Sequence, residues 1–75
     1  MAASFDILSE VAGTVMAIPA CVGTVYPPEA ELLVIEAMKM ELPVSAPSRV
    51  RLLALHVQAG AVVREGETLA TVELA

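Results

Sequence analysis

Few side chains in this sequence could do chemistry. It has one histidine, His56, one cysteine, Cys21, and four basic residues, of which Lys39 is the only lysine. His56 lies within an apolar run, where a solvent-facing or edge position on a strand is expected and a catalytic role is not. Cys21 has no neighbouring base and is expected to be a small packing residue. Because a metal site needs three or four ligands and no His/Cys grouping supplies them, we expect no metal and no independent enzyme.

The one lysine lies in the segment Glu36-Ala37-Met38-Lys39-Met40-Glu41. A lysine that offers its amine to another protein's active site belongs at an exposed hairpin tip, because loops on a rigid scaffold present reactive groups. Methionine side chains are flexible and polarisable, so Met38 and Met40 suit recognition by more than one partner. The alternative for either methionine is packing in the core.

Composition limits the classes to which the protein could belong. Its 75 residues allow one domain, residues 1–75, and its net charge of −5 comes without a basic cluster. Nucleic acid and anionic membranes are therefore not expected as partners. The longest uncharged stretch, 11–28, is interrupted by glycine and proline, which argues against a transmembrane helix. Since no basic segment precedes an apolar run at the N-terminus, we expect a cytoplasmic protein.

The second half of the sequence repeats the first. A shift of 37 residues aligns five identical pairs without a gap: Ala17 with Ala54, Gly23 with Gly60, Val25 with Val62, Leu32 with Leu69, and Glu36 with Glu73. Each half should therefore contain the same elements in the same order. The segment that joins the halves should form a hairpin at one end of the fold, with the two chain ends together at the other.

Short strands are predicted in both halves. The candidates, rich in β-forming residues, are 13–18 and 50–57, 32–36 and 68–73, and 40–45. Residues 29–41 also contain good helix formers, and the apolar block 32–35 fits either structure. The repeat favours a strand, because the matching stretch contains Thr68, Thr71 and Val72.

Two repeats of short strands predict an all-β fold. The expected architecture is a flattened antiparallel β-barrel or sandwich of two small sheets, related by a pseudo-twofold axis. Residues 37–40 should then form a tight, exposed turn at the midpoint of the chain.

The segment around Lys39 resembles the biotinylation motif of the biotin carboxyl carrier proteins. The run 37–40, Ala-Met-Lys-Met, carries the resemblance, and residues 60–69 are similar to that family's second-half turn and strand. The resemblance implies that biotin is joined covalently to Lys39 and that a biotin–protein ligase recognises its flanks: Glu36, Ala37, Met38 and Met40.

The resemblance also implies a function. In the family, a biotin carboxylase loads a carboxyl group with ATP and bicarbonate, a carboxyltransferase receives it, and the carrier is non-catalytic. We expect the chain to belong to an acyl-CoA carboxylase. The sequence leaves the acceptor of the carboxyl group open among an acyl-CoA, a keto acid and urea, and it leaves open a role in a decarboxylase cycle. We expect a monomer as an isolated domain. The lack of a Pro/Ala-rich linker indicates a free-standing subunit, although a piece of a multidomain carboxylase would have much the same sequence.

Some members of the family insert a protruding thumb in the first half. The spacing from Gly13 to Gly23 equals that from Val50 to Gly60, so we expect no thumb insertion here.

The sequence departs from the family pattern outside the hairpin. Residues 27–30, Pro-Pro-Glu-Ala, stand where a glycine and an acidic residue are usual, and Thr24 replaces an acidic residue. Val50 replaces a glycine that Gly13 retains in the first half. Because valine at positive φ is an outlier, we expect an ordinary β conformation at Val50 and a turn near residues 47–48.

Two rival functions share this fold. A lipoyl carrier uses a lysine at the same hairpin, usually after an acidic residue, whereas Met38 precedes Lys39 here. An unmodified interaction module, such as the hairpin domains of export adaptors, needs no lysine at the tip and sits within a long helical protein. Met38 argues against a lipoyl carrier, and the lysine at the tip argues against an unmodified module, so both observations favour biotin.

Overall fold

The structure, a computed structural model, describes residues 3–75. Over that range it contains eight strands and no helix, in the order β1 (Ser4–Leu8), β2 (Gly13–Ala17), β3 (Val25–Tyr26), β4 (Glu31–Ala37), β5 (Met40–Ser45), β6 (Val50–Leu55), β7 (Val62–Val63) and β8 (Thr68–Leu74). The expected all-β fold is confirmed, and the helix considered for residues 29–41 is absent because β4 and β5 occupy that segment.

The strands form two antiparallel four-stranded sheets. Sheet I has the order β1-β8-β6-β3, and sheet II has the order β5-β4-β2-β7. The sheets pack face to face on an aliphatic core, which explains how so few aromatic residues suffice. The largest fully buried side chains are Leu32, Leu33, Ile35, Leu52, Leu69, Val15, Val50, Val63 and Val72. The arrangement is a sandwich and not a closed barrel, with β1 and β5 as the edges on one side.

The predicted repeat is the organising symmetry of the fold. Strands β1 to β4 recur as β5 to β8, so that β2 in sheet II corresponds to β6 in sheet I. Hydrogen bonds repeat as well: Gly23 N–H donates to Leu52 O at 2.7 Å, and Gly60 N–H donates to Val15 O at 2.7 Å. Each half thus supplies a glycine turn that is hydrogen-bonded to the other half, and neither half could bury its apolar face alone.

The sequence missed the first strand and the two shortest ones. The repeat could have revealed β1, because it is the counterpart of the predicted strand β5. Within residues 3–75, the expected approach of the first and last residues to each other is confirmed, since Leu74 N–H donates to Ala3 O at 3.0 Å. No thumb is inserted between β2 and β3, since residues 18–24 connect them and the equivalent connection between β6 and β7, residues 56–61, is only one residue shorter.

Gly13 and Val50 correspond in the two halves, and neither has a positive φ. Val50 begins β6 after bends at residues 47–49, so the expected β conformation is confirmed. Gly13 is required for close approach instead. A Cβ atom there would overlap the carbonyl oxygen of Glu36 and lie 2.9 Å from Ile35 Cγ2.

Candidate functional site

The hairpin between β4 and β5 has the shortest possible loop. Ala37 pairs with Met40, and only Met38 and Lys39 connect them. Both connecting residues have positive φ, 51° and 65°, which is the pattern of a type I′ turn. Such turns favour Asn-Gly, since other residues pay about 1–2 kcal/mol each in the left-handed region. The residues at the two central positions, Met38 and Lys39, therefore make the turn less stable than Asn-Gly would.

The side chains at this tip are exposed. Met38 is 94% exposed and Met40 is 61% exposed, and Lys39 is exposed between them. The predicted exposed turn at residues 37–40 is confirmed, and Met40 is the more buried of the two methionines. The alternative of core packing is wrong for both methionines. Lys39 thus presents its amine to solvent with a mobile thioether on either side.

Rigid structure begins immediately behind the exposed turn. Ile35 and Leu33 of β4 are 1% and 0% exposed and anchor the hairpin in the core. Gly13 of β2 lets the backbone of β4 approach closely near Glu36 and Ala37. The backbone of the hairpin is therefore anchored close behind the lysine, and the orientation of the hairpin is set by sheet II.

The two glutamates that flank the turn face each other. Glu36 and Glu41 are directly opposite in the β4–β5 register, and both are exposed. Like charges at such a position are destabilising. Sequence reasoning placed Glu36 at the site but missed its pairing with Glu41, which follows only from the two-residue loop.

The other candidate residues lie elsewhere. His56 is exposed beyond the end of β6, as expected; its Nε2 lies 2.8 Å from Thr71 Oγ1, and that hydroxyl donates to Asp6 Oδ1 at 2.7 Å. Cys21 is exposed, so its interpretation as a packing residue is wrong. Its backbone N–H donates to the Tyr26 hydroxyl at 2.7 Å, which fixes the loop and leaves the side chain outside.

Residues 3–75 hold no group of three His, Cys, Asp or Glu side chains placed to bind a metal ion. Over the same range, the structure has no helix long and apolar enough to cross a membrane.

The chain belongs to the biotin/lipoyl family. A sequence model of that family, described as biotin-requiring enzyme, matches residues 28–72, which include the whole hairpin. A comparison with curated protein sequences found no significant match.

Two solved structures are similar to the chain over nearly its full length. One is a single-chain, multi-domain long-chain acyl-CoA carboxylase, 35% identical over 96% of this chain with a TM-score of 0.92. The other is the Kluyveromyces lactis urea carboxylase, 26% identical over 93% of this chain with a TM-score of 0.87. The chain spans 7% and 6% of the length of these two proteins.

Proposed function

We propose that the chain is a biotin carboxyl carrier in which biotin is joined through an amide bond to Lys39 Nζ. The observation that carries the proposal is the exposed lysine at the tip of a rigid two-residue turn, in a chain of a biotin-requiring family. The similarity to an acyl-CoA carboxylase and a urea carboxylase supports the same function. The bound biotin would supply a carrier atom for an activated carboxyl group.

The residues of the chain have three tasks in this function. Lys39 holds the cofactor on a long, flexible side chain, which raises its local concentration at the sites that it visits. Met38 and Met40 offer adaptable apolar contacts to the enzymes that handle the tip. Glu36 and Ala37 end β4 and set the direction in which the turn projects.

The partners follow from the proposed cycle. A biotin–protein ligase attaches the cofactor, an ATP-dependent biotin carboxylase loads the carboxyl group, and a carboxyltransferase delivers it. We propose an acyl-CoA as the acceptor, on the similarity to the long-chain acyl-CoA carboxylase. A cytoplasmic location, a monomeric isolated domain and the absence of activity in the chain alone remain our predictions.

The cycle is tested by its loading step. The chain is biotinylated with a biotin–protein ligase and incubated with a purified biotin carboxylase from an acyl-CoA carboxylase, ATP and radiolabelled bicarbonate. We expect acid-labile label on the biotinylated chain and none on the unmodified chain. Equal labelling of both, or none on the biotinylated chain, would overturn the proposed function.

A further inference from the structure

The outer face of sheet II consists of the side chains that point away from the core. The register places them in two cross-strand rows. The row beside the hairpin tip holds Val62, Thr14, Glu36 and Glu41, and the row behind it holds Ala17, Val34 and Pro43. Met16, at the bulge in β2, adds to the second row.

The second row is apolar, although it faces solvent. Met16, which adds to this row, is 43% exposed. Val62, at the end of the first row, is also apolar and is 78% exposed. Pro43 is exposed, and Val34 is half-buried between its neighbours Ala17 and Pro43. No charged side chain belongs to this row. A contiguous apolar surface on a small protein indicates a place of contact with another molecule.

The internal repeat provides a comparison within the same molecule. The outer face of sheet I has Thr71 where sheet II has Val34, and Asp6 where sheet II has Pro43. There, His56 just past the end of β6, Thr71 of β8 and Asp6 of β1 form a hydrogen-bonded chain. The bulge positions are apolar on both faces, Met16 in sheet II and Leu53 in sheet I. The second row therefore differs where Val34 and Pro43 of sheet II replace the hydrogen-bonded Thr71 and Asp6 of sheet I.

The charges differ in the same way. Glu73 in sheet I forms an ion pair with Arg51, with Nε and Oε1 3.4 Å apart. The equivalents of this pair in sheet II are Glu36 and Thr14, so the positive partner is missing. Among residues 3–75, no basic side chain forms an ion pair with Glu36 or Glu41. Glu36 and Glu41, beside the lysine, are therefore available to form ion pairs with basic groups of another molecule.

The rigid hairpin connects this face to the lysine. Because only two residues connect β4 and β5, a protein that receives the biotin joined to Lys39 in its active site also comes close to the end of sheet II. A carboxylase that binds ATP and bicarbonate must attract anions, so basic groups are expected around its entrance. Glu36 and Glu41 complement such groups, and the apolar row behind them complements an apolar rim.

We infer that the outer face of sheet II is the docking surface for the ATP-dependent biotin carboxylase domain. This inference rests on the proposed function. The partner approaches the tip of the hairpin with basic groups against the acidic pair and apolar side chains against Met16, Val34 and Val62. The outer face of sheet I remains in solvent during loading.

The repeat supplies a matched pair of variants for the test. Met16 and Leu53 are equivalent bulge residues on the two outer faces, 43% and 38% exposed. Met16→Glu places a charge in the docking surface, and Leu53→Glu places the same charge on the opposite face. Val62→Glu is a second variant on the docking surface, at a more exposed position.

Each protein is biotinylated to completion, which intact mass verifies, and its thermal unfolding is recorded. A purified biotin carboxylase from an acyl-CoA carboxylase is then assayed with radiolabelled bicarbonate at increasing carrier concentration. We expect Met16→Glu and Val62→Glu to raise the KM for the carrier about tenfold with kcat nearly unchanged, since a charge in a desolvated contact weakens binding. Leu53→Glu should stay within about twofold of wild type. The wild-type KM should rise with salt, because screening weakens the acidic contacts.

The outcomes separate the two proposals. If the wild-type carrier takes no label, the proposed function fails and the docking surface with it. If the wild type is labelled but the variants on the two faces behave alike, or Leu53→Glu is the more impaired, the docking surface is wrong and the proposed function stands.

Discussion

Glu29 takes the same left-handed backbone conformation as Gly66, its counterpart in the second half, with φ values of 72° and 86°. Glu29 N–H donates to Ala46 O at 2.9 Å, and Gly66 N–H donates to Ser9 O at 2.7 Å. The two turns therefore make equivalent hydrogen bonds, one with the residue that the conformation favours and one without it. The departure from the family pattern at residues 27–30 changed the residue type and kept the geometry.

This relationship predicts opposite effects of substitution at the two turns. Glu29→Gly should raise the free energy of unfolding by about 0.5–1 kcal/mol, because relief of the left-handed strain exceeds the entropy cost of glycine. Gly66→Ala should lower it by about 1 kcal/mol for the reverse reason. Urea unfolding of both variants measures the difference, and a loss of stability in Glu29→Gly would show that its side chain holds the turn.

The exposed methionines should matter for recognition and not for folding. Met38→Ala and Met40→Ala should each change stability by less than about 0.5 kcal/mol, while biotinylation slows severalfold. Leu33→Ala, at a fully buried position of the same hairpin, is the control and should lose about 2–5 kcal/mol. A loss of that size in either methionine variant, with normal biotinylation below its melting transition, would mean that the methionine supports the fold.

The positive φ at Met38 makes a further separation between stability and function possible. Asparagine tolerates the left-handed region and is favoured at the first central position of a type I′ turn. Met38→Asn should therefore stabilise the domain by about 0.5–1 kcal/mol and still slow biotinylation. Thermal melting and a timed ligase assay on one preparation measure both effects. Faster modification in the more stable variant would contradict a recognition role for Met38.

Gly13 should tolerate no side chain. Gly13→Ala should lose about 1–3 kcal/mol, because the new Cβ must push β2 away from the backbone of β4. Amide hydrogen exchange should show weaker protection in β4 and β5 than in sheet I. Wild-type melting of this variant would mean that the strands separate at no cost and that the hairpin is not fixed by β2.

The sequence was most informative where the repeat and the lysine motif agreed. Hydrophobic pattern and repeat together predicted β4, although its residues include good helix formers, because tertiary pairing outweighs helix propensity. The position of Lys39 at a turn followed from the same symmetry. Side-chain relations across strands could not be read from the sequence, since the pairing of Glu36 with Glu41 needs the register. The role of Gly13 likewise depends on how closely β4 passes it.

The attachment of biotin to Lys39 is the central claim, and intact mass spectrometry tests it most directly. The chain and its Lys39→Arg variant are each incubated with a biotin–protein ligase, biotin and ATP. Their intact masses are then measured, and the site of modification is mapped by peptide fragmentation. We predict that the wild-type chain gains one biotinyl group, located at Lys39, and that the variant gains none. A biotinyl group on the Lys39→Arg variant, or a wild-type chain that accepts lipoate from a lipoyl ligase but no biotin, would contradict the account.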